Sequence, residues 1–148
     1  MNIKSLLSPD CVLFKHQCAS KKRLLETIAS HLCDHNTNLD PSNVFSALIA
    51  RERLGSTGLG KGIAIPHCRI TNCTKTIGVL VTLATPIDFN AIDSEPVDII
   101  FVLVVPEDGH RDHLQTLATI AETFSDEDCL HRMRESKNAK ELYDIVTT

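Results

Sequence analysis

The chain has 148 residues, close to the length of one domain, and its 43% hydrophobic and 23% charged residues are ordinary for a globular protein. That composition excludes disorder, collagen-like repeats and a disulfide-dependent miniprotein, and a formal net charge of −4 argues against nucleic acid or anionic lipid as partner. The longest purely apolar run, Ile99 to Val105, is seven residues, against the roughly 20 that span a bilayer, and the N-terminus lacks the pattern of a secretory leader. A cytoplasmic protein without membrane insertion is expected.

In chain order, Ser8-Pro9-Asp10 is turn chemistry and Cys11 to Phe14 predicts a short strand. Ser20 to about His35 predicts an amphipathic helix, with Leu24, Leu25, Ile28, Ala29 and Leu32 on one face. Asp40-Pro41 predicts the next helix start, an N-cap acceptor followed by proline, and that helix ends near Arg53. A stretch holding four of the six glycines follows, Gly55 to Gly62, and leads into the extended segment Ile63 to Pro66. Thr76 to about Thr82 and Asp98 to Val105 predict two further strands, the second apolar on both faces as in the middle of a covered sheet. A helix is predicted from near His110, with Leu114, Leu117, Ile120, Ala121 and Phe124 on one face. Ser125 and Asn138 are expected to cap the last two helices. The six cysteines (Cys11, Cys18, Cys33, Cys68, Cys73 and Cys129) contain no CxxC pair and suit a reducing compartment. Alternating strands and helices indicate a single α/β domain, a mixed β-sheet with helices on both faces.

The glycine stretch matches the first seven positions of the phosphate-binding pattern GxxxxGK[ST], but the eighth residue is Gly62. The hydroxyl that such a loop offers to magnesium is missing, and the loop follows a helix instead of a strand. Nucleotide binding by this loop is therefore not expected. More informative is Ile63-Ala64-Ile65-Pro66-His67. Proline fixes its own φ and holds Ile65 extended, so His67 leaves the sheet edge on a stiff stem. An imidazole held in one orientation is a competent nucleophile near neutral pH, whereas an unheld one merely caps a strand. His110-Arg111-Asp112-His113 opens a helix whose N-terminus attracts anions, and Arg51 and Arg53 precede the glycines. Two imidazoles, guanidiniums and backbone donors could thus surround a small dianion.

At this point the chain resembles a known family. Arg51 to His67 (RERLGSTGLGKGIAIPH) is similar to the signature of the fructose/mannitol-type enzyme IIA domains of the bacterial phosphotransferase system. The likeness continues through Leu6 to Pro9, Thr85 to Asp93, Pro96 to Ile100, Val104 to Pro106, His113 to Leu117 and Glu141 to Ile145, and so covers nearly the whole chain; it implies one type-2 EIIA domain over residues 1–148. It looks strongest toward the nitrogen-regulatory branch. The resemblance implies the mannitol-type fold and a histidine phosphocarrier without cofactor or metal. His67 is then the residue phosphorylated by an HPr-like carrier, with His113 and Arg51 completing the site. It also implies regulated partners, such as potassium-transport or sensor components, that are contacted according to phosphorylation state. Cys68 stands where the family usually has glycine, and Lys61 where asparagine is common.

The residue types suit this chemistry. Phosphoryl transfer passes through a loose transition state whose charge a forked guanidinium can hold at two oxygens. Ser56, Thr57 and the glycine-loop amides are further candidate donors, and Leu59, Ile63, Ile65 and Ile92 candidates to line a shallow apolar depression around His67. Two other functions fit parts of the pattern. One is a sugar-specific IIA passing phosphate to a separate IIB. The other is a zinc-binding module using His67, Cys68, Cys73, His110 and His113, because His110-x-x-His113 puts two rings on one helical face.

Overall fold

The computed structural model describes residues 3–107 and 110–148, and side chains throughout these except at 110–113. Six α-helices and six strands follow in the order α1 (Ile3–Leu6), β1 (Val12–His16), α2 (Lys21–Asp34), α3 (Pro41–Leu54), β2 (Gly58–Gly60), β3 (Ile63–Ala64), β4 (His67–Ile70), β5 (Ile77–Ile87), β6 (Val97–Pro106), α4 (His110–Thr123), α5 (Glu127–Glu135) and α6 (Ala139–Thr147). The helix starts follow local chemistry. Ser20 Oγ accepts the Arg23 amide at 3.2 Å, and Asp40 Oδ1 accepts the Ser42 amide at 3.3 Å behind Pro41. Asn138 Oδ1 accepts the Glu141 amide at 2.8 Å. The start of α5 lies one residue beyond the expected cap. Asp126 takes the Asp128 amide at 3.0 Å, while the Ser125 hydroxyl turns back to the Glu122 carbonyl at 2.7 Å.

The sheet is mixed, in the order β1-β5-β6-β3-β2, with β4 also paired to β6. β1 runs parallel to β5, β5 antiparallel to β6, and β3 and β4 parallel to β6. Every residue from Ile99 to Val105 is essentially inaccessible, so both faces of the central strand are covered, as its unbroken apolar run predicts.

Two strands go beyond the sequence expectation. The glycine stretch is no loose phosphate loop: Gly58 to Gly60 folds back as β2, antiparallel to β3. A Cβ on Gly58 would stand 2.8 Å from that of Ala91, so a close backbone approach accounts for the glycine. His67 does not leave the sheet edge. It begins β4, which continues the line of β3 along β6: Ile63 and Ala64 pair with Ile99 and Ile100, then His67 pairs with Leu103. Only Ile65 and Pro66 interrupt that line, because the Ile65 amide points to the Thr57 carbonyl (3.1 Å) and proline has no amide hydrogen to offer.

Candidate functional site

His67 stands where helix α3 packs against β4. Its ring is held at both nitrogens. Nδ1 donates to the Ile65 carbonyl at 2.9 Å, and Nε2 accepts from Arg51 Nε at 3.2 Å. Arg51 lies in the last turn of α3 and also donates from Nη1 to the Gly55 carbonyl at 2.9 Å, which orients the guanidinium plane. The pair of bonds specifies the neutral tautomer with hydrogen on Nδ1 and a lone pair on Nε2. Burial, the largest influence, lowers the His67 pKa below the ordinary 6.5. The positive charges of Arg51 and Arg69 push the same way, partly offset by the Ile65 carbonyl and by Glu52.

The sign of this shift sets a pH dependence. The folded ring binds its proton less readily than the unfolded chain does. It is therefore neutral at pH 7, and acidification from 6.5 downward costs stability as well as nucleophile. Following the His67 ring protons by NMR against pH is expected to give a midpoint under 6.5; a midpoint at or above 6.5 would contradict the tautomer and burial assigned here.

An open depression surrounds the ring, lined by Ala47, Ala50, Leu54, Arg69, Leu114 and Leu117 together with Arg51, His67 and Cys68. Its apolar rim differs from the residues expected. Ile63 and Ile65 are core, while Leu59 and Ile92 are exposed but do not line the depression. Leu114, on the apolar face of α4, is 59% exposed at the rim, and Leu54 is 84% exposed. Of the two arginines before the glycines, Arg51 turns to the ring and Arg53 is solvated.

Ser56 and Thr57 have other tasks. The Ser56 hydroxyl donates to the Phe89 carbonyl at 2.6 Å and accepts the Gly58 amide at 3.0 Å. Thr57 is buried and donates both its hydroxyl and its amide to the carboxylate of Glu52. The Lys61 amide goes to Asp93 at 2.9 Å. The Ser56 and Thr57 hydroxyls and the Thr57, Gly58 and Lys61 amides thus have partners inside the protein, while Arg51 stands beside Nε2 of His67. The His113 and His110 side chains lie outside the described residues. Leu114 and Leu117 nevertheless bring the first turns of α4 to the depression.

Cys68 is buried, and its thiol is pushed up to about 12, by burial first and by the neighbouring Cys73 second. It stays protonated beside the imidazole and offers no competing thiolate. Lys61 occupies a left-handed conformation, φ 58°, where asparagine is easier than lysine. Among the described residues no three histidine, cysteine or acidic side chains converge on a metal position. No helix among them is long and apolar enough to cross a membrane.

Three side chains at or beside the site are not among the site residues expected from the sequence. Arg69 follows His67 by two residues, so the period of a strand puts both on one face, a signal visible only once β4 is recognised. Glu52 and Lys21 form an ion pair at 2.7 Å between α3 and α2. The neighbouring positions of Arg51 and Glu52 hint at the second of these; nothing local marks Lys21.

Residues 5–148 match the family model described as "Phosphoenolpyruvate-dependent sugar phosphotransferase system, EIIA 2". A nitrogen regulatory protein of Escherichia coli is 43% identical over 148 residues, 99% of this chain and 90% of that one. The crystal structure of nitrogen regulatory protein IIA-Ntr from Neisseria meningitidis superposes with a TM-score of 0.92 at 35% identity, covering 98% of this chain and 99% of that one. The mannitol IIA of Escherichia coli shares the fold at a TM-score of 0.78 and 18% identity, over 94% of this chain and 97% of its own.

Proposed function

Since this chain belongs to the type-2 EIIA family of the phosphotransferase system, in its nitrogen-related branch, whose members are phosphorylated on histidine, we propose that His67 is its phosphoacceptor and Nε2 the atom that carries the group. The observation that carries this reading is the ring geometry. Nδ1 keeps its hydrogen on the Ile65 carbonyl while Nε2 points its lone pair to the Arg51 guanidinium, beside an open apolar depression.

The chemistry follows from those contacts. The Nε2 lone pair forms the new N–P bond as the donor's N–P bond breaks, and that electron pair returns to the donor's own imidazole. The His67 ring then carries positive charge with hydrogen still on Nδ1, and the Ile65 carbonyl stabilises it. Arg51, displaced from Nε2 by phosphorus, is already placed to fork onto two phosphoryl oxygens, where the charge of a loose transition state resides. His113, next in the chain to rim residue Leu114, is proposed as a further hydrogen-bond donor to the same group.

The donor is an HPr-like phosphohistidine protein. Two protein histidines must meet across the phosphoryl group, which needs a shallow docking face. The exposed Leu54 and Leu114, with Ala47, Ala50 and Leu117, supply apolar contact area around a polar centre. The outcome is a cytoplasmic switch whose charge state at His67 decides which regulated proteins it contacts, with potassium-transport and sensor components as the candidate class.

The experiment is to incubate the chain with phosphoenolpyruvate, enzyme I and an HPr-type carrier, and to read the product by phosphorus and nitrogen NMR. One phosphoryl group on Nε2 of His67 is expected. Phosphate on Nδ1 or on another residue, or none at all, would refute the proposal.

A further inference from the structure

A chain of hydrogen bonds runs from helix α2 to the back of the His67 ring. Lys21, in the first turn of α2, sets its ammonium 2.7 Å from Glu52 Oε2, and the Glu52 side chain is only 5% exposed. Lys21 is itself fixed, 3.3 Å from the Phe89 carbonyl and 4.7 Å from the centre of the Phe89 ring. Glu52 grips Thr57 twice, taking the amide at Oε2 (3.4 Å) and the hydroxyl at Oε1. The Thr57 carbonyl accepts the Ile65 amide at 3.1 Å, and the Ile65 carbonyl accepts His67 Nδ1–H at 2.9 Å.

We propose that Glu52, set by Lys21 and acting through Thr57, is the positioning residue that aims the Ile65 carbonyl at Nδ1 and so keeps Nε2 unprotonated for phosphoryl transfer.

This proposal rests on His67 being the phosphoacceptor. In the resting site Arg51 also holds the tautomer by donating to Nε2. Phosphorus must take that place during transfer, and the ring must then be held from the Nδ1 side. Ile65 is followed by proline, so the direction of its carbonyl is set by how its own amide is anchored, and the anchor is Thr57. Thr57 in turn lies between Gly55 and Gly58, a stretch with little stiffness of its own. A buried carboxylate that binds both the amide and the hydroxyl of Thr57 supplies the missing rigidity, and Lys21 supplies the charge that lets that carboxylate stay buried.

The test is Thr57→Val, which removes the hydroxyl at nearly constant volume, beside Thr57→Ser, which keeps it. For Thr57→Val the turnover rate of phosphoryl acceptance is expected to fall about tenfold, as for other residues that orient a reacting ligand. The KM for the phosphorylated carrier should not change, because the docking rim is untouched. The NMR titration midpoint of His67 should move further down as the Ile65 carbonyl loosens. Thr57→Ser should restore both readings. Wild-type turnover and midpoint in Thr57→Val, or a loss that serine does not rescue, would overturn the relay. If Thr57→Val does not fold, Glu52→Asp, which keeps the charge and shortens the reach, is expected to give the same pattern, and wild-type values there would equally overturn it. Failure of the wild-type protein to accept phosphate on His67 is a separate result: it removes the phosphocarrier reading, and with it the relay's role, whatever the midpoint does.

Discussion

His67→Gln is expected to abolish phosphoryl acceptance while leaving the fold in place. Glutamine is close in size to histidine. Its amide can still donate to the Ile65 carbonyl, or accept from Arg51, so at most one of these two bonds is lost. It has no nucleophilic nitrogen, because the amide lone pair is delocalised into the carbonyl. The substitution therefore removes the N–P bond-forming atom and little else. Each hydrogen bond that His67 makes is worth about 1 kcal/mol net, so the melting temperature should fall by no more than about 4 °C. Two measurements check this: transfer of labelled phosphate from the phosphorylated carrier, and a thermal melt of the same preparation. Any labelling of the folded variant would place the acceptor elsewhere, and Arg51 would then be guarding the wrong nitrogen. Lowering the pH is a milder version of the same experiment. Protonating Nε2 removes the lone pair reversibly, and because the folded ring resists protonation, the loss should set in only below 6.5.

What could be read from the chain and what could not divides along the range of the interactions. Asp40 and Asn138 were legible as caps because each bonds an amide two or three residues on. β6 was legible because seven consecutive apolar residues need cover on both faces, wherever that cover comes from. The importance of the Pro66-His67 step was also local, and the family resemblance singled out Arg51, which lies beside the ring. The strand that His67 starts was not legible. Its short run, His67–Ile70, alternates inward and outward positions, but the proline before it reads as an end, and only pairing with Leu103 to Pro106 makes it a strand. Ser56 and Thr57 are candidate donors to a phosphoryl group because their hydroxyls stand among glycines, the pattern that also builds phosphate loops. The partners these hydroxyls have within the fold, Phe89 and Glu52, are not legible locally, because they are set by how the chain folds back. Lys21 is remoter still: on its helix it is one of three successive basic residues, and only the approach of α3 distinguishes it.

The same contrast between local and distant causes explains a glycine inside the core. Gly78 sits within β5, where glycine weakens a strand and nothing nearby in sequence asks for one. A Cβ there would lie 2.7 Å from Cζ and 2.8 Å from Cε1 of Phe101, and 3.4 Å from the Leu6 carbonyl oxygen. Phe101, fully buried on β6, lays its ring over Gly78 and meets the ring of Phe124 at 5.6 Å between centroids. The glycine is the space into which the aromatic ring packs. Phe101→Ala is therefore expected to cost about 3–5 kcal/mol through the cavity it leaves, which lowers the melting temperature by roughly 10 °C or more in a chain of this length. Gly78→Ala alone should cost about 1–3 kcal/mol by overpacking. Combined, the two should not add. The new methyl group enters the space the ring vacated, and the double variant should be more stable than the sum of the single effects by about 1 kcal/mol or more. Urea unfolding of the four proteins gives the cycle directly. Additivity within about 0.5 kcal/mol would mean that the ring and the glycine do not share this space. Phosphoryl acceptance at low temperature should survive in all four, because Arg51, Ile65 and the depression around His67 make none of these contacts.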